Sequence, residues 1–135
     1  MANYMSVSRT NYFRVTDEEK YQVLFSNLCS ESDIEDFTEE RDGVLYHGFG
    51  TYGSVEYLDE DENYNFDLFL NELQKILPDN EAFMYFESGY EKLRYVIGYA
   101  VVVTSKEIAY ENIGDWAISK AKELLGSDFK TKIDY

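Results

Sequence analysis

The fold of this 135-residue chain is decided by residues 82–104, A-F-M-Y-F-E-S-G-Y-E-K-L-R-Y-V-I-G-Y-A-V-V-V-T. Two segments rich in aromatic and β-branched residues, 82–87 and 93–104, flank the run S-G-Y-E-K, and this pattern predicts a long β-hairpin. The second segment is apolar at odd and at even positions. Such a strand is expected inside a sheet, covered on both sides, or covered on one side with tyrosine hydroxyls emerging on the other.

Shorter patterns predict the other strands and the two later helices. Strands are expected at 4–15, 44–49 and 52–58, the last two joined by a glycine-containing turn. Helices are expected at 66–77, followed by Pro78, and at 113–125, followed by Gly126. The apolar residues that we expect to face inward from the last helix are Ile113, Trp116, Ala117, Ala121, Leu124 and Leu125.

The run T-D-E-E at 16–19 predicts the start of the first helix, because Thr16 and Glu19 have the spacing of a capping box. One buried stripe then follows at helical spacing: Tyr21, Leu24, Phe25 and Leu28. The acidic segment 31–42 predicts at most a weak helix, since Ser32 and Glu35 repeat the capping-box spacing.

These elements have the order βαββαββα and predict a single α+β domain over residues 1–135, with helices packed on one sheet. The first six elements share the order of ferredoxin-like folds. Because order alone does not determine which strands pair, a ferredoxin-like core is one topology among those that the order allows.

The negative charge of the chain is concentrated in its middle. Residues 31–87 contain 17 acidic side chains and two basic ones, Arg41 and Lys75, whereas the flanking segments 1–30 and 88–135 each have equal numbers of both. This segment therefore accounts for the whole formal charge of −15. Such charge repels nucleic acid and anionic membranes and attracts basic surfaces. The high hydrophobic and aromatic content favours a folded chain over an acidic disordered one.

Cysteine usage and hydropathy predict a cytoplasmic protein. The single Cys29 cannot form an internal disulfide, and it is expected to be a small buried side chain. Neither a signal peptide nor an apolar stretch of membrane-spanning length is visible.

Two apparent motifs in the acidic segment fail on their details. G-F-G-T-Y-G-S-V at 48–55 has the spacing of the kinase glycine-rich loop, but the strand lysine and the H-R-D and D-F-G motifs are missing. These glycines therefore predict a hairpin with close backbone approach.

The second motif, D-E-D-E-N-Y-N-F-D at 59–67, has oxygen-bearing side chains at alternate positions, as calcium loops do. Tyr64 stands where that loop needs Gly, and Leu70 where it needs Glu. A solvated acidic loop is expected instead, with Asn63 or Asn65 capping the next helix, and we predict no catalytic residue, metal site or cofactor.

His47 is the only histidine and gives the alternative interpretation, an enzyme or small-ligand protein that uses the 44–58 hairpin. Tyr46, Tyr52 and Glu56 would then surround a pocket. No serine or cysteine partner is identifiable, so a structural or surface role for His47 is favoured.

The 13 tyrosines are too numerous for all of them to be buried with satisfied hydroxyls. Tyrosine is favoured in interface cores because it combines contact area with a polar tip. One interpretation is that the tyrosines pack half-exposed on the sheet. The other, which we adopt, is a binding face of acidic and aromatic side chains, made by Tyr52, Glu56, Tyr57, Asp59, Glu60, Asp61, Glu62 and Tyr64.

Three segments carry a resemblance to known proteins: S-R-T-N-Y-F-R-V at 8–15, D-G-V-x-Y-H-G-F-G at 42–50 and E-K-L-R-Y-V-x-G-Y at 91–99. They resemble a family of small acidic proteins carried by phages and conjugative elements of gut Firmicutes. The resemblance brings no catalytic motif. It implies a setting in which antirestriction and anti-CRISPR inhibitors occur, some of which mimic nucleic acid.

Charge and resemblance together predict a non-enzymatic interaction protein that binds a basic surface on a nucleic-acid-binding protein. It would bind neither nucleic acid nor membrane directly. An immunity protein or antitoxin against a basic nuclease would bind its target by the same attraction between an acidic and a basic surface. An acidic surface that only maintains solubility is the competing interpretation, and the oligomeric state stays open.

Overall fold

The computed structural model describes residues 4–133, and its fold is α+β. The elements follow one another as β1 (Met5–Thr10), α1 (Glu18–Ser26), β2 (Leu28–Cys29), β3 (Glu35–Arg41), β4 (Val44–Thr51), β5 (Glu56–Tyr57), α2 (Phe66–Gln74), β6 (Phe83–Glu91), β7 (Tyr95–Val103), β8 (Ile108–Asn112) and α3 (Ile113–Leu125). None of the helices in this part of the chain is long and apolar enough to cross a membrane.

Six strands form one sheet in the order β3-β4-β1-β6-β7-β8, and each pair of neighbours is antiparallel. The short strands β2 and β5 pair separately. The predicted hairpin is present as β6 and β7, in register from Phe83 opposite Val103 to Glu91 opposite Tyr95. The strands extend through most of the predicted S-G-Y-E-K turn, and the chain reverses at Lys92, which has a φ of 51°.

Helices α1 and α2 pack on the same face of the sheet, which we call the covered face. Phe49 of β4 meets Phe25 of α1 and Phe69 of α2, with ring centroids 5.9 and 6.1 Å apart. Phe83 of β6 also packs against Phe69. Because alternate residues of a strand point to opposite faces, the other side of the sheet carries a different set of side chains, and we call it the open face.

The local structure of the three helices corrects two predictions. α1 begins one residue later than predicted: Asp17 is the cap, accepting from the Lys20 amide at 3.0 Å, while the Thr16 hydroxyl donates to the Ile76 carbonyl. Asn65 caps α2 as one of the two expected residues. α3 has the predicted bounds, but none of its residues is buried. The prediction that its six apolar side chains face inward is therefore wrong for most of them: Ile113 contacts β7 at Gly98 and Ala121 is half-buried, but Trp116, Ala117, Leu124 and Leu125 are exposed.

The predicted element order was wrong mainly in the acidic segment, and the short strand β2 outside it was not predicted either. Residues 35–41 form β3, an edge strand paired with β4, instead of a weak helix. The predicted hairpin of 44–49 with 52–58 does not form, since β4 pairs with β3 and β1 and only Glu56–Tyr57 of the second segment is a strand. β8 was not predicted.

The glycines of the kinase-like motif have a packing role, as the close-approach interpretation predicted. A Cβ on Gly50 would lie 2.9 Å from the Ser8 carbonyl oxygen, and one on Gly48 would lie 3.1 Å from that of Asn11. The distance at Gly50 is shorter than a side-chain carbon tolerates and the one at Gly48 is tight, so glycine at these positions lets β1 and the residues after it approach β4 closely.

Candidate functional site

The most acidic part of the surface is the edge of the sheet formed by β3 and its two flanks. All seven carboxylates between residues 31 and 42 are exposed. We call this set the acidic edge: Glu31, Asp33, Glu35, Asp36, Glu39, Glu40 and Asp42. The only base within it, Arg41, pairs with Glu39 at 2.9 Å and lies over the rings of Tyr12 and Tyr46. The Arg41 hydrogen bond holds the pKa of Glu39 below its usual value, so Glu39 stays ionised.

A tight Asp-Gly turn positions the acidic edge. Asp42 and Gly43 both have positive φ, 53° and 79°, which is the backbone that a two-residue hairpin turn requires. The turn fixes β3 against β4, so its carboxylates alternate between the two sides of the sheet edge.

The second acidic feature is residues 59–62, which we call the acidic loop. It projects from an isolated bridge between Leu58 and Tyr64. Asp59 organises it, since one carboxylate oxygen accepts from the amides of Asp61 and Asn63, each at 2.9 Å. Glu60, Asp61 and Glu62 are exposed beyond this turn. The Asp59 oxygen is therefore engaged by the loop itself, and within residues 4–133 no cluster of side chains could hold a metal ion.

Two clefts are lined both by residues at the start of the acidic edge and by residues that we predicted to be in the binding face. One, of about 360 Å³, is lined by Glu31, Glu56 and Tyr64 together with Cys29, Ser30 and Ser54. The other, of about 320 Å³, is lined in part by Asp33, Glu35 and Tyr52. The acidic loop lies at a different cleft, where Asp59, Glu60 and Asp61 face Lys20 and Glu72 of the helices.

Tyr57 does not belong to this surface, contrary to the prediction. Only 7% of it is exposed, and its ring packs 5.6 Å from that of Phe69 in the core. The alternation of strand β5 explains the difference, because Glu56 and Tyr57 point to opposite sides. Tyr52 and Tyr64, by contrast, are 76% and 68% exposed.

Beneath the acidic surface lies a buried carboxylate, Glu87, which is 6% exposed. Tyr4 and Ser54 donate to its Oε2 at 3.0 and 2.8 Å, and Tyr99 donates to Oε1 at 3.1 Å. Tyr85 lies 3.0 Å from Oε1 and 2.9 Å from Ser8 Oγ, so its one hydroxyl hydrogen serves either acceptor. No basic side chain of residues 4–133 pairs with Glu87. The protein groups that donate to this carboxyl group are therefore all hydroxyls.

The same hydroxyl cluster ties the segment leading to the acidic loop onto the sheet. Ser8 donates to the Gly53 carbonyl at 2.6 Å, and the Val55 amide donates to the Tyr85 hydroxyl at 3.2 Å. With the Ser54 bond, three successive residues are fastened to β1 and β6. Glu87 and its hydroxyl donors therefore position Glu56 and the segment that leads to the acidic loop. No sequence pattern predicted this cluster, because most of its members are far apart along the chain.

The cluster also changes the acidity of the groups around it. Burial, followed by the hydrogen bond to Glu87 and its charge, raises the pKa of Tyr4 to about 12. Burial and the charge of Glu87 raise the pKa of Glu56. Burial and the charge of Glu56 raise the pKa of the Cys29 thiol, so Cys29 is a poor nucleophile at neutral pH.

The alternative site around His47 is not assembled. His47 is 1% exposed, with its ring 4.4 Å from that of Tyr21 and its Nε2 2.6 Å from a Glu18 oxygen. Tyr46 is the next residue along β4 and points to the open face, so it cannot share a pocket with His47. The position of His47 is that of a core side chain with one surface partner.

Comparisons with known proteins add nothing to this geometry: no protein-family model, curated protein or solved structure matches the chain. The site must therefore be judged from its own chemistry. It offers many fixed carboxylates and two exposed tyrosines. This combination suits binding to a basic surface.

Proposed function

We propose that this protein is a non-enzymatic, cytoplasmic interaction protein whose acidic edge and acidic loop bind a basic surface on a nucleic-acid-binding protein. The observation that carries the proposal is the exposure of all seven carboxylates of the acidic edge on an ordered strand and its flanks. Charges held at fixed positions steer a basic partner and select its orientation, which a disordered acidic tail does with less precision.

The density of these charges decides what kind of binding they support. β3 carries four carboxylates over seven residues, and at about 3.3 Å per residue this is one charge every ~6 Å. One DNA strand carries a phosphate every ~3.4 Å along the helix axis. The acidic edge therefore supplies about half the charge density of a DNA strand, so it competes for a basic groove without copying each phosphate.

The resemblance to acidic proteins of phages and conjugative elements indicates where the partner should be sought. Restriction enzymes and CRISPR effectors are nucleic-acid-binding proteins with basic grooves, and an inhibitor that occupies such a groove would protect a mobile element. The same surface would serve an immunity protein or antitoxin against a basic nuclease. The two differ in the identity of the captured protein.

We also infer that β1, α1, β3, β4, α2 and β6 form a ferredoxin-like core, to which β7, β8 and α3 are added. This inference is supported by the antiparallel order β3-β4-β1-β6 and by helices that each connect strands that are not neighbours. Such a core is a scaffold and does not specify function.

The experiment is an affinity capture with matched variants. Wild-type protein, an edge variant (Glu35→Gln, Asp36→Asn, Glu40→Gln) and a control variant (Glu91→Gln, Glu107→Gln, Glu123→Gln) are immobilised and exposed to a lysate of a gut Firmicute. The two variants lose the same number of charges, but the control loses them outside the acidic segment. Bound proteins are identified by mass spectrometry, before and after addition of duplex DNA.

We expect wild type and control to retain a nucleic-acid-binding protein that duplex DNA displaces, and the edge variant to lose it. Capture of the same protein by the edge variant, or no basic protein on wild type, would contradict the proposal. His47→Ala is expected to leave capture unchanged as long as the protein folds. Loss of capture by folded His47→Ala would favour the alternative function around the 44–58 segment.

A further inference from the structure

The open face of the sheet exposes apolar side chains that the proposed function does not use. Its alternating residues on β1 and β6 include Met5, Val7, Phe86 and Tyr90, each about half exposed. A groove of about 550 Å³ runs between these strands and α3, with Ile113 and Trp116 as its wall. Large exposed apolar patches on soluble proteins mark interaction sites.

Helix α3 also exposes apolar side chains to solvent. It contains 13 residues and none is buried, and helices of this length are marginal in water without tertiary packing. Ile113 rests on Gly98 of β7, where the missing side chain lets the helix approach, but Trp116 is 55% exposed. An unpartnered helix face and an unpartnered sheet face thus lie side by side.

The residues across the open face form a row that is complementary to itself. Arg9 on β1 is opposite Phe86 on β6, Phe86 is opposite Ala100 on β7, and Ala100 is opposite Glu111 on β8. The row therefore runs cation, large ring, small residue, anion. Arg9 lies over the rings of Phe37 and Tyr12 and forms no ion pair within the described part of the chain, and neither does Glu111.

From this row we infer that the protein forms a two-fold symmetric dimer through its open face. A two-fold axis that runs along the strands between β6 and β7 places the row of one copy over the reversed row of the other. Phe86 then packs on Ala100 of the second copy, and Arg9 faces its Glu111. In such an interface each contact occurs twice, and α3 of each copy lies beside β1 of the other.

The distribution of charge selects a second copy of this chain as the occupant. Residues 88–135, which supply β7, β8 and α3, have equal numbers of acidic and basic side chains. Because the axis lies between β6 and β7, the β3 strands of the two copies are on opposite sides of it and seven strand spacings apart, which at about 4.8 Å per strand is ~34 Å. That distance exceeds the Debye length of ~8 Å at physiological salt, so two copies can meet without bringing their acidic edges together.

The available area is close to what a stable dimer requires. Six large apolar side chains on the face and on α3 are about half exposed: Met5, Val7, Phe86, Tyr90, Ile113 and Trp116. Together they offer on the order of 500 Å², and with the polar rim around them this approaches the ~800 Å² per partner of a standard interface.

The experiment is sedimentation equilibrium on wild type, Phe86→Glu, Arg9→Glu, the charge-swapped pair Arg9→Glu with Glu111→Arg, and Val23→Glu. Val23 is an exposed apolar residue on α1, on the other side of the sheet, and serves as the matched control. We expect wild type to dimerise at micromolar concentrations. Phe86→Glu and Arg9→Glu should raise the dissociation constant by about tenfold or more, the charge-swapped pair should recover it, and Val23→Glu should leave it unchanged.

Trp116, the only tryptophan, gives a second measurement that needs no mutation. Its emission should shift to the blue as wild-type concentration rises, and this shift should be absent in Phe86→Glu. Added salt should weaken the dimer only slightly, because it contains two Arg9–Glu111 pairs within a mostly apolar contact, whereas it should weaken the proposed complex with a basic partner strongly, so the two proposals fail separately. A wild type that stays monomeric at about 300 µM, or a charge-swapped pair no better than Arg9→Glu, would overturn the dimer and leave the face to a different protein.

Discussion

Glu87 is a buried carboxyl group that has no basic partner among the described residues, and its environment depends on the positions of a few hydroxyl groups. Glu87 accepts hydrogen bonds from hydroxyl groups of its own strand and of three other segments of the chain, and those groups have no other acceptor of equal charge. Hydrogen bonds to charged groups are stronger than those between neutral groups. The residue therefore stabilises the sheet and the attachment of the acidic loop together.

The substitution Glu87→Gln tests this role without changing side-chain volume. Its amide nitrogen would face hydroxyl groups that now donate to an oxygen, and they would have to rotate. We expect a loss of about 1–3 kcal/mol in the free energy of unfolding, measured with urea. Glu107→Gln, an exposed control, should change it by less than about 0.5 kcal/mol. Equal stability of the two variants would show that the hydroxyls do not need the charge.

Glu56 gives a prediction about pH. Burial and the charge of Glu87 raise its pKa in the folded state, so the fold favours the neutral form. The contribution of Glu56 to stability is therefore fully present below its unfolded pKa of about 4.3 and is lost as pH rises through the raised folded value. We expect Glu56→Gln to match wild type near pH 4 and to be the more stable protein at pH 7.

Thermal or urea unfolding of both proteins at the two pH values measures this difference. The comparison at each pH cancels the titration of the other carboxylates, which the two proteins share. A difference in stability that is the same at pH 4 and at pH 7 would contradict the assigned environment of Glu56.

The carboxylates of strand β3 form part of the proposed binding surface, and they also protect an exposed edge of the sheet. The second role can be tested separately. An edge strand presents unpaired backbone groups, and charged side chains protect it from pairing with other chains. We expect Asp36→Val with Glu40→Val to aggregate faster than wild type, measured by light scattering and thioflavin fluorescence. Glu19→Val with Glu123→Val makes the same chemical change on two helices and should not. Equal aggregation of the two variants would mean that the carboxylates of β3 do not protect the edge.

Sequence patterns over short segments predicted the elements whose structure depends on residues close together in the chain. The β6–β7 hairpin and the bounds of α3 followed from runs of β-formers and from an amphipathic period that ends at Gly126. The period indicates that a helix has an apolar face, but it does not say what covers that face. For this reason the burial of Trp116 and its neighbours was predicted wrongly.

The strand β3 was missed although a signal for it was present. Its residues are mostly Glu and Asp, which are poor strand formers, and only pairing with β4 makes them extended. The dipeptide Asp42-Gly43 between the two strands is among the strongest short-range signals for a hairpin. Giving it weight would have moved the hairpin from 44–58 to 35–51 and placed the acidic edge correctly.

The residue types of the candidate site could be predicted from the sequence, but their arrangement in space could not. The charge count identified the acidic segment, and Tyr52, Glu60, Asp61, Glu62 and Tyr64 are exposed, whereas Glu56 and Asp59 are half-buried. The Glu87 cluster joins residues up to 83 positions apart in sequence, and the burial of Tyr57 depends on its contact with Phe69. Neither the Glu87 cluster nor the contact of Tyr57 with Phe69 produces a pattern among residues that are neighbours in the sequence.

For the whole molecule, the sheet separates two surfaces of different chemistry. The β3 edge carries the acidic edge, and the part of the open face between β1 and α3 is mostly apolar. Association through the acidic edge should weaken strongly as salt rises, and association through the apolar part of the open face should change much less.

The most direct test is the salt dependence of the affinity between this protein and a purified nucleic-acid-binding partner obtained by capture. For wild type and the control variant, we predict a dissociation constant that rises steeply with salt concentration, because many charge contacts are screened together. The edge variant should bind more weakly at low salt and show a shallower dependence. An affinity that does not change with salt, or an edge variant with the slope of wild type, would contradict the proposed role of the acidic edge.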